Sequence, residues 1–276
     1  MKTTDNKSFI DIDEVFKSKN PSLYRILPTF FFNWLKKTVH QDEINGFIHN
    51  NSHLYDFEFV NAIVKEFGVQ LKFEGLEHIP QHGGFICAAN HPLGGLDAIS
   101  LLHCVGTRRK DVRFVVNDIL LKLENLKGLF VGVNKHGKND QNTMRTLDEI
   151  YGSGMGVLIF PAGLVSRRKK GLIKDLLWRK SFVVKARKHQ IPIVPTFIEG
   201  KNSDFFYSLS NFRTSIGVKA NIEMLYLVDE MYRQKGRTIQ ITFGKPVYPE
   251  ALENPANDIE WSHRLREMVY ELGNKQ

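Results

Sequence analysis

Apolar positions change their period near residue 68. Before it they recur every three to four residues, as on a helix face. After it, short alternating or continuous apolar runs appear between helical stretches. "IDEVFKSKN" predicts a short helix, and "PSLYRILPTFFFNWLKKTVHQDEINGFIHNN" predicts several turns broken or kinked at Pro28. Asp56 is placed to cap the helix "FEFVNAIVKEFG", and Gly68 to end it. Beyond that point "VQLKFEG" alternates as a strand and "GGFICAAN" reads as a buried one. The chain continues with a helix in "LDAISLLHCVG", a strand in "DVRFVVN", helical character in "DILLKLENL" and a strand in "FVGVN". "NTMRTLDEIYGSG" predicts a helix and "MGVLIFPAG" the most hydrophobic strand. "DLLWRKSFVVKARKHQ" reads as a basic helix, "IPIVPTFIEG" and "TIQITFGKPV" as strands, and "IEWSHRLREMVYELGNK" as a closing helix. Strands alternating with helices predict an α/β fold, with a largely parallel central sheet flanked by helices and an N-terminal helical extension. The change of period divides the chain into an extension over residues 1–67 and an α/β domain over residues 68–276.

Composition narrows the partners. At 42% hydrophobic and 25% charged residues the chain has the make-up of a globular protein rather than a disordered one. Its net charge of +8 favours an anionic partner: nucleic acid, a membrane surface, or a phosphorylated or acyl-carrier ligand. The two cysteines, Cys87 and Cys104, make no disulfide framework, so reduced thiols are expected. The polar N-terminus carries acids where a signal peptide needs an apolar core, and no apolar run is long enough to cross a bilayer. "LPTFFFNWL", followed by Lys36 and Lys37, is too short to span a membrane but suits its interface. No nucleic-acid signature is present, and the scattered histidines lack metal-ligand spacing.

The stretch "CAANHPLGGLDAIS" carries the clearest chemistry. His91 follows the buried strand, and Asp97 lies six residues on, across Pro92, Gly94 and Gly95. An imidazole takes a proton best when its other ring nitrogen donates to a carboxylate. The glycines leave room for substrate to approach the backbone. The competing reading is a strand-to-helix turn in which Asp97 merely caps the next helix, with Asn90 capping the turn.

Further motifs give this stretch a context. "ANHPLGGLD" resembles the first motif of the glycerolipid acyltransferase family, the lysophosphatidic-acid-acyltransferase-like enzymes, with five residues rather than the usual four between histidine and aspartate. "GLFVGVNK" resembles the second motif, with Lys135 in place of arginine. "IFPAGLVSRR" resembles the third, and "IPIVPTFIEG", carrying Pro195, the fourth. The resemblance covers roughly residues 69–252. It departs at Ala162, where the family's third motif has a glutamate that helps build a glycerol-phosphate site. That departure points toward the bacterial branch acting on lyso-amino-acid lipids, such as lyso-ornithine or lyso-glycine lipids.

The resemblance implies acyl transfer from a thioester, of acyl carrier protein or coenzyme A, to the hydroxyl of a lyso-lipid. His91 would be the general base and Asp97 its orienting group, with no metal and no cofactor. Asn90, Gly94, Gly95, Lys135, Pro161, Gly163, Ser166, Arg167 and Arg168 would line the substrate site, with Lys135, Arg167 and Arg168 as cations for an anionic head. A peripheral position at the cytoplasmic face of a membrane follows from the lipid acceptor. Residues 30–37 and the basic stretch 171–188 are candidates for the contact; for 171–188 a core-facing helix with a solvated basic face is the simpler account. Two other activities compete: acylation of 1-acyl-glycerol-3-phosphate, and thioester hydrolysis with Cys87 as nucleophile. No G-x-S-x-G elbow is present, and "YGSGMGVLIF" precedes a strand rather than following one, the wrong order for a dinucleotide loop.

Overall fold

A computed structural model describes residues 8–117, 120–133, 141–252 and 257–274. Helices α1 (Ile12–Lys19), α2 (Pro21–Ile26), α3 (Thr29–Thr38), α4 (Gln41–Asn50) and α5 (Asp56–Phe67) come first. The break at Leu27–Pro28 falls where proline removes a backbone donor. Phe59, Val60, Ile63 and Phe67 form the buried stripe of α5, which packs into the same core as the sheet. Gly68 ends that helix in the left-handed region, as expected. Asp56 does not cap it. Tyr55 holds the cap position, and the Asp56 carboxylate turns instead against Gly128, whose missing side chain makes the space.

The sheet contains β1 (Gln70–Glu74), β2 (Phe85–Ala89), β3 (Val112–Asn117), β4 (Phe130–Val133), β5 (Gly156–Ile159), then, beyond a small hairpin of β6 (Arg167–Lys169) and β7 (Leu172–Lys174), β8 (Ile193–Ile198) and β9 (Thr238–Phe243). Its order is β1-β9-β8-β2-β5-β3-β4. Strands β8, β2, β5, β3 and β4 are mutually parallel; β9 pairs antiparallel with β8, and β1 runs parallel to β9. The sheet is therefore largely parallel and flanked by helices, as the alternation implied.

Strand β2 shows why its sequence is an unbroken apolar run. All five residues are buried, and successive side chains face opposite ways. Phe85, Cys87 and Ala89 join the core shared with α5 and with α6 (Gly95–Gly106). Ile86 and Ala88 join the core shared with α8 (Ser181–His189) and α12 (Asp258–Gly273), including Phe182, Leu265 and Val269. The remaining helices are α7 (Gln141–Gly152), α9 (Asp204–Ser215), α10 (Leu227–Tyr232) and α11 (Pro249–Leu252).

Two expected elements differ. The expected helix through "DILLKLENL" is instead a pair of 3-10 turns, Leu120–Lys122 and Glu124–Leu126. Buried Asn125 donates to the carbonyls of Asn51 and Leu54, which ties this segment to the α4–α5 connection rather than to its own helix. The basic helix expected over 175–190 is confined to Ser181–His189. Before it, the Arg179 N–H donates to the Pro161 carbonyl, and Asp175 and Trp178 are drawn inward. Phe182, Val183 and Ala186 of α8 face the core, so the stretch is not a free amphipathic surface helix.

Candidate active site

Three neighbouring parallel strands end on one side of the sheet. Strand β2 delivers Asn90 and His91, β5 delivers Phe160 and Pro161, and β8 delivers the backbone of Ile198. The chain leaves β2 in one direction and later returns to its other flank with β8. Such a switch point, at the carboxyl ends of strands, leaves a crevice for ligands.

His91 sits in it. Its Nδ1 lies 2.9 Å from Asp97 Oδ2. The same oxygen accepts the N–H groups of Leu93, at 2.8 Å, and Gly94, at 3.1 Å. Gly94 makes this possible. At φ 89° and ψ −132° it adopts a conformation reserved for glycine, and it turns the chain so that Asp97, in the first turn of α6, reaches back across the loop. The cap and the histidine contact, alternatives in the sequence, are made by one carboxylate. Asp97 is fully buried, and burial raises its pKa against the pull of His91 and the two backbone donors. Its Oδ1 has no hydrogen-bond partner among the described residues. His91 is 17% exposed, leaving a path to the ring nitrogen that Asp97 does not engage. Phe160 stacks on the imidazole, with ring centroids 4.0 Å apart and 14° between planes, and so fixes the ring's tilt.

A second carboxylate, which sequence reading missed, holds the histidine's main chain. Asp175 is buried; its Oδ1 accepts the His91 N–H at 3.2 Å and the Ser166 hydroxyl at 2.6 Å, and its Oδ2 accepts Trp178 Nε1–H at 2.9 Å. Ser166 in turn donates its N–H to the His91 carbonyl at 2.7 Å. The loop after β5 and the segment after β7 thus clamp both polar groups of the His91 backbone.

The expected substrate residues fall into distinct places. Gly94 and Gly95 open α6 beside His91, with Gly95 exposed. Pro161 and Gly163 form a turn in which the Gly163 N–H donates to the Phe160 carbonyl at 3.0 Å, Gly163 having φ 67°. Three of the expected residues make contacts within the protein itself, and Arg167 also lines the adjoining groove. The Asn90 amide is spent on the Ile198 backbone, donating at 2.9 Å and accepting at 2.7 Å, which stitches β2 to β8 rather than facing a ligand. Ser166 is consumed by Asp175 and His91. Arg167 is buried and paired with Glu223 at 2.8 Å, so its charge is already matched. Burial works to raise the Glu223 pKa, but Arg213 and Arg167 outweigh it and hold the carboxyl below its usual range. Arg168 lies outside this buried pair and contacts Asp204 and Ser208. Lys135 lies outside the described residues.

Beside the clamp lies an open groove of about 780 Å³. Ala162, Gly163, Lys169, Leu172, Leu177 and Arg179 line it, and it shares Asp175 with the His91 site. Lys169 and Arg179 are exposed and have no ion-pair partner among the described residues. Cys87 is fully buried against Thr196, and burial pushes its thiol up to about 12, which removes it as a nucleophile. Among the described residues no group of acidic, cysteine or histidine side chains could hold a metal.

A family model described as "Acyltransferase" matches residues 14–275. A curated relative from Bacteroides thetaiotaomicron, named lyso-glycine lipid O-acyltransferase, is 37% identical over 272 residues, spanning 98% of this chain and all of its own. A second of that name, from Phocaeicola vulgatus, is 37% identical over 273 residues, covering 98% of each chain. Among solved structures, the 1-acyl-sn-glycerophosphate acyltransferase of Thermotoga maritima matches with a TM-score of 0.46 and 18% identity, over 88% of this chain and 93% of that one.

Proposed function

This chain belongs to the acyltransferase family, and from that premise we propose that it moves a fatty acyl group from an acyl thioester to the hydroxyl of a lyso-lipid at a membrane surface. One observation carries the reading: the imidazole of His91 is held by a buried carboxylate on one nitrogen and open on the other. With Nδ1–H donated to Asp97, Nε2 is the basic nitrogen. It takes the acceptor's hydroxyl proton as the oxygen attacks the thioester carbonyl. The tetrahedral intermediate then breaks its C–S bond, and the proton passes from His91 to the leaving thiolate. Ester and free thiol are the products, and no acyl-enzyme is formed. Phe160 and the Asp175–Ser166 clamp hold the base in place, so the ordering cost of the attack is largely met before substrate binds.

The acceptor we infer carries a carboxylate head, as in a lyso-glycine lipid, rather than a phosphate monoester. Ala162 stands where the family's glutamate helps build the phosphate site, and both curated relatives bear that lipid in their names. In the adjoining groove Lys169 and Arg179 are, among the described residues, cations free to meet such a head, since Arg167 is neutralised. The donor would be the thioester of acyl carrier protein or coenzyme A. The test uses purified full-length protein with an acyl-coenzyme A or acyl carrier protein thioester, each with and without lyso-glycine lipid or lysophosphatidic acid. Mass spectrometry should find thioester consumed, and diacylated product formed, when the lyso-glycine lipid is supplied. Free fatty acid released without acceptor would replace this reading with hydrolysis; preference for lysophosphatidic acid would overturn the choice of acceptor.

A further inference from the structure

Helix α9 is apolar on two sides. Phe206, Tyr207 and Ser210 face inward and are buried. Phe205, Phe212 and Ile216 lie at helical spacing on the other side and are 50%, 61% and 57% exposed. A surface helix normally turns charge outward there. The uncovered face also continues beyond α9. The Tyr226 ring packs edge-on against Phe205, with centroids 4.9 Å apart, and against Trp34 of α3, at 6.2 Å. Trp34 is 43% exposed, Phe30 one turn earlier 75%, and Ile26 at the end of α2 78%. Residues nearly two hundred positions apart thus build one contiguous apolar face rather than scattered surface hydrophobics.

Cations outnumber acids on the segments that carry this face. Residues 20–38 contain no acid. Residues 201–226 contain two, Asp204 and Glu223, and both are paired, with Arg168 and with Arg167 and Arg213. Arg25, Lys37, Lys201 and Lys219 are exposed on the same segments without an ion-pair partner among the described residues. The groove meets this face as well. Asn221 lines it, and the next residue, Ile222, is 40% exposed.

We infer that α2–α3, α9 and the turn at Ile222–Tyr226 form a docking face for a bilayer bearing anionic lipids, with the groove opening onto it. Aromatic and aliphatic side chains enter the acyl-headgroup boundary while the exposed cations of the same segments meet lipid phosphates and carboxylates. The inference deepens the proposed lyso-lipid reading by stating where the acceptor's membrane contacts the protein. Among the described residues no helix is long and apolar enough to cross a membrane.

The test is flotation of the full-length protein with phosphatidylcholine vesicles, with and without a fifth of phosphatidylglycerol, alongside F212S/I216S and K201Q/K219Q. All four positions are exposed, and unchanged thermal melting confirms that the variants fold. Wild type is expected to float with anionic vesicles. K201Q/K219Q should bind about twenty-fivefold more weakly to them, about fivefold per cation removed. F212S/I216S should lose binding to the anionic vesicles altogether. Both variants should still acylate a short-chain acceptor in free solution at the wild-type rate. Wild type that stays unbound, variants that float as wild type does, or a dimer in solution that F212S/I216S dissolves would each overturn the docking face. A wild type that floats but acylates no lyso-lipid would instead overturn the proposed reaction and leave the docking face standing.

Discussion

Replacing Asp175 by asparagine changes one atom of the clamp and exposes its logic. The carboxylate accepts from His91 N–H and Ser166 O–H through Oδ1, and from Trp178 Nε1–H through Oδ2. An asparagine keeps the first acceptor. Its amide group then faces the Trp178 N–H, donor against donor, in a buried place. An orphaned buried donor costs about 1–3 kcal/mol. For a chain of this size that lowers Tm by roughly 2–4 °C per kcal/mol. Because the clamp holds the His91 backbone, kcat should also fall, on the order of ten- to a hundredfold for a shift well under 1 Å. Trp178→Phe removes the opposing donor. In the double variant the conflict disappears, so the two substitutions should cost about 1–3 kcal/mol less together than their sum. Thermal melting and steady-state kinetics on the four proteins of the cycle read both effects. Asp175→Asn melting with wild type, or coupling below about 0.5 kcal/mol, would refute the clamp.

In Asp97→Asn the amide oxygen keeps the Leu93 and Gly94 N–H donors and the contact with His91 Nδ1–H, but the negative charge that stabilises the imidazolium is gone; kcat should fall by about 10²–10⁴. The same variant carries a pH signature. Burial raises the folded pKa of Asp97, so folding favours its neutral form, and wild-type stability declines as pH rises from the ordinary value of 3.8 through the folded one. An asparagine at this position does not titrate and lacks that decline, so melting from pH 3 to 8 should shift steadily in the variant's favour; the opposite slope would refute the burial argument. Arg167→Met should cost about 1–3 kcal/mol of stability by leaving Glu223 to Arg213 alone, without raising KM for the acceptor; a raised KM with unchanged Tm would restore Arg167 as a headgroup ligand. Cys87→Ala should keep kcat per folded molecule, and iodoacetamide should leave the wild type active, because the thiol is buried and its pKa is pushed up to about 12. Loss of activity in either case would reopen the hydrolase.

What could be read from the chain alone follows from the range of the interactions. The strands at the centre announce themselves because a strand buried on both faces must be apolar throughout, as in Phe85–Ala89. His91 and Asp97 are close in sequence, and the turn between them carries its glycines openly. Asp175 gave no such sign. It lies 84 positions from His91 and sits among lysines and leucines that read as the start of a basic helix. Arg167 looked free for the same reason: Glu223, its partner, is 56 positions away. Residues 201–237 drew no expectation, because apolar side chains on two sides of α9 blur the single stripe that marks an ordinary surface helix. Phe160 was visible within "IFPAG", but its stacking on His91 depends on β5 lying beside β2, which only the assembled sheet supplies.

Single-turnover acyl transfer by His91→Ala, with an acyl thioester and lyso-glycine lipid both saturating, tests the role of His91 as the base. The variant should bind both substrates, melt close to the wild type, and transfer at least about a thousandfold more slowly, a deficit of about 4 kcal/mol in transition-state stabilisation. Transfer at a rate near the wild type's would contradict it.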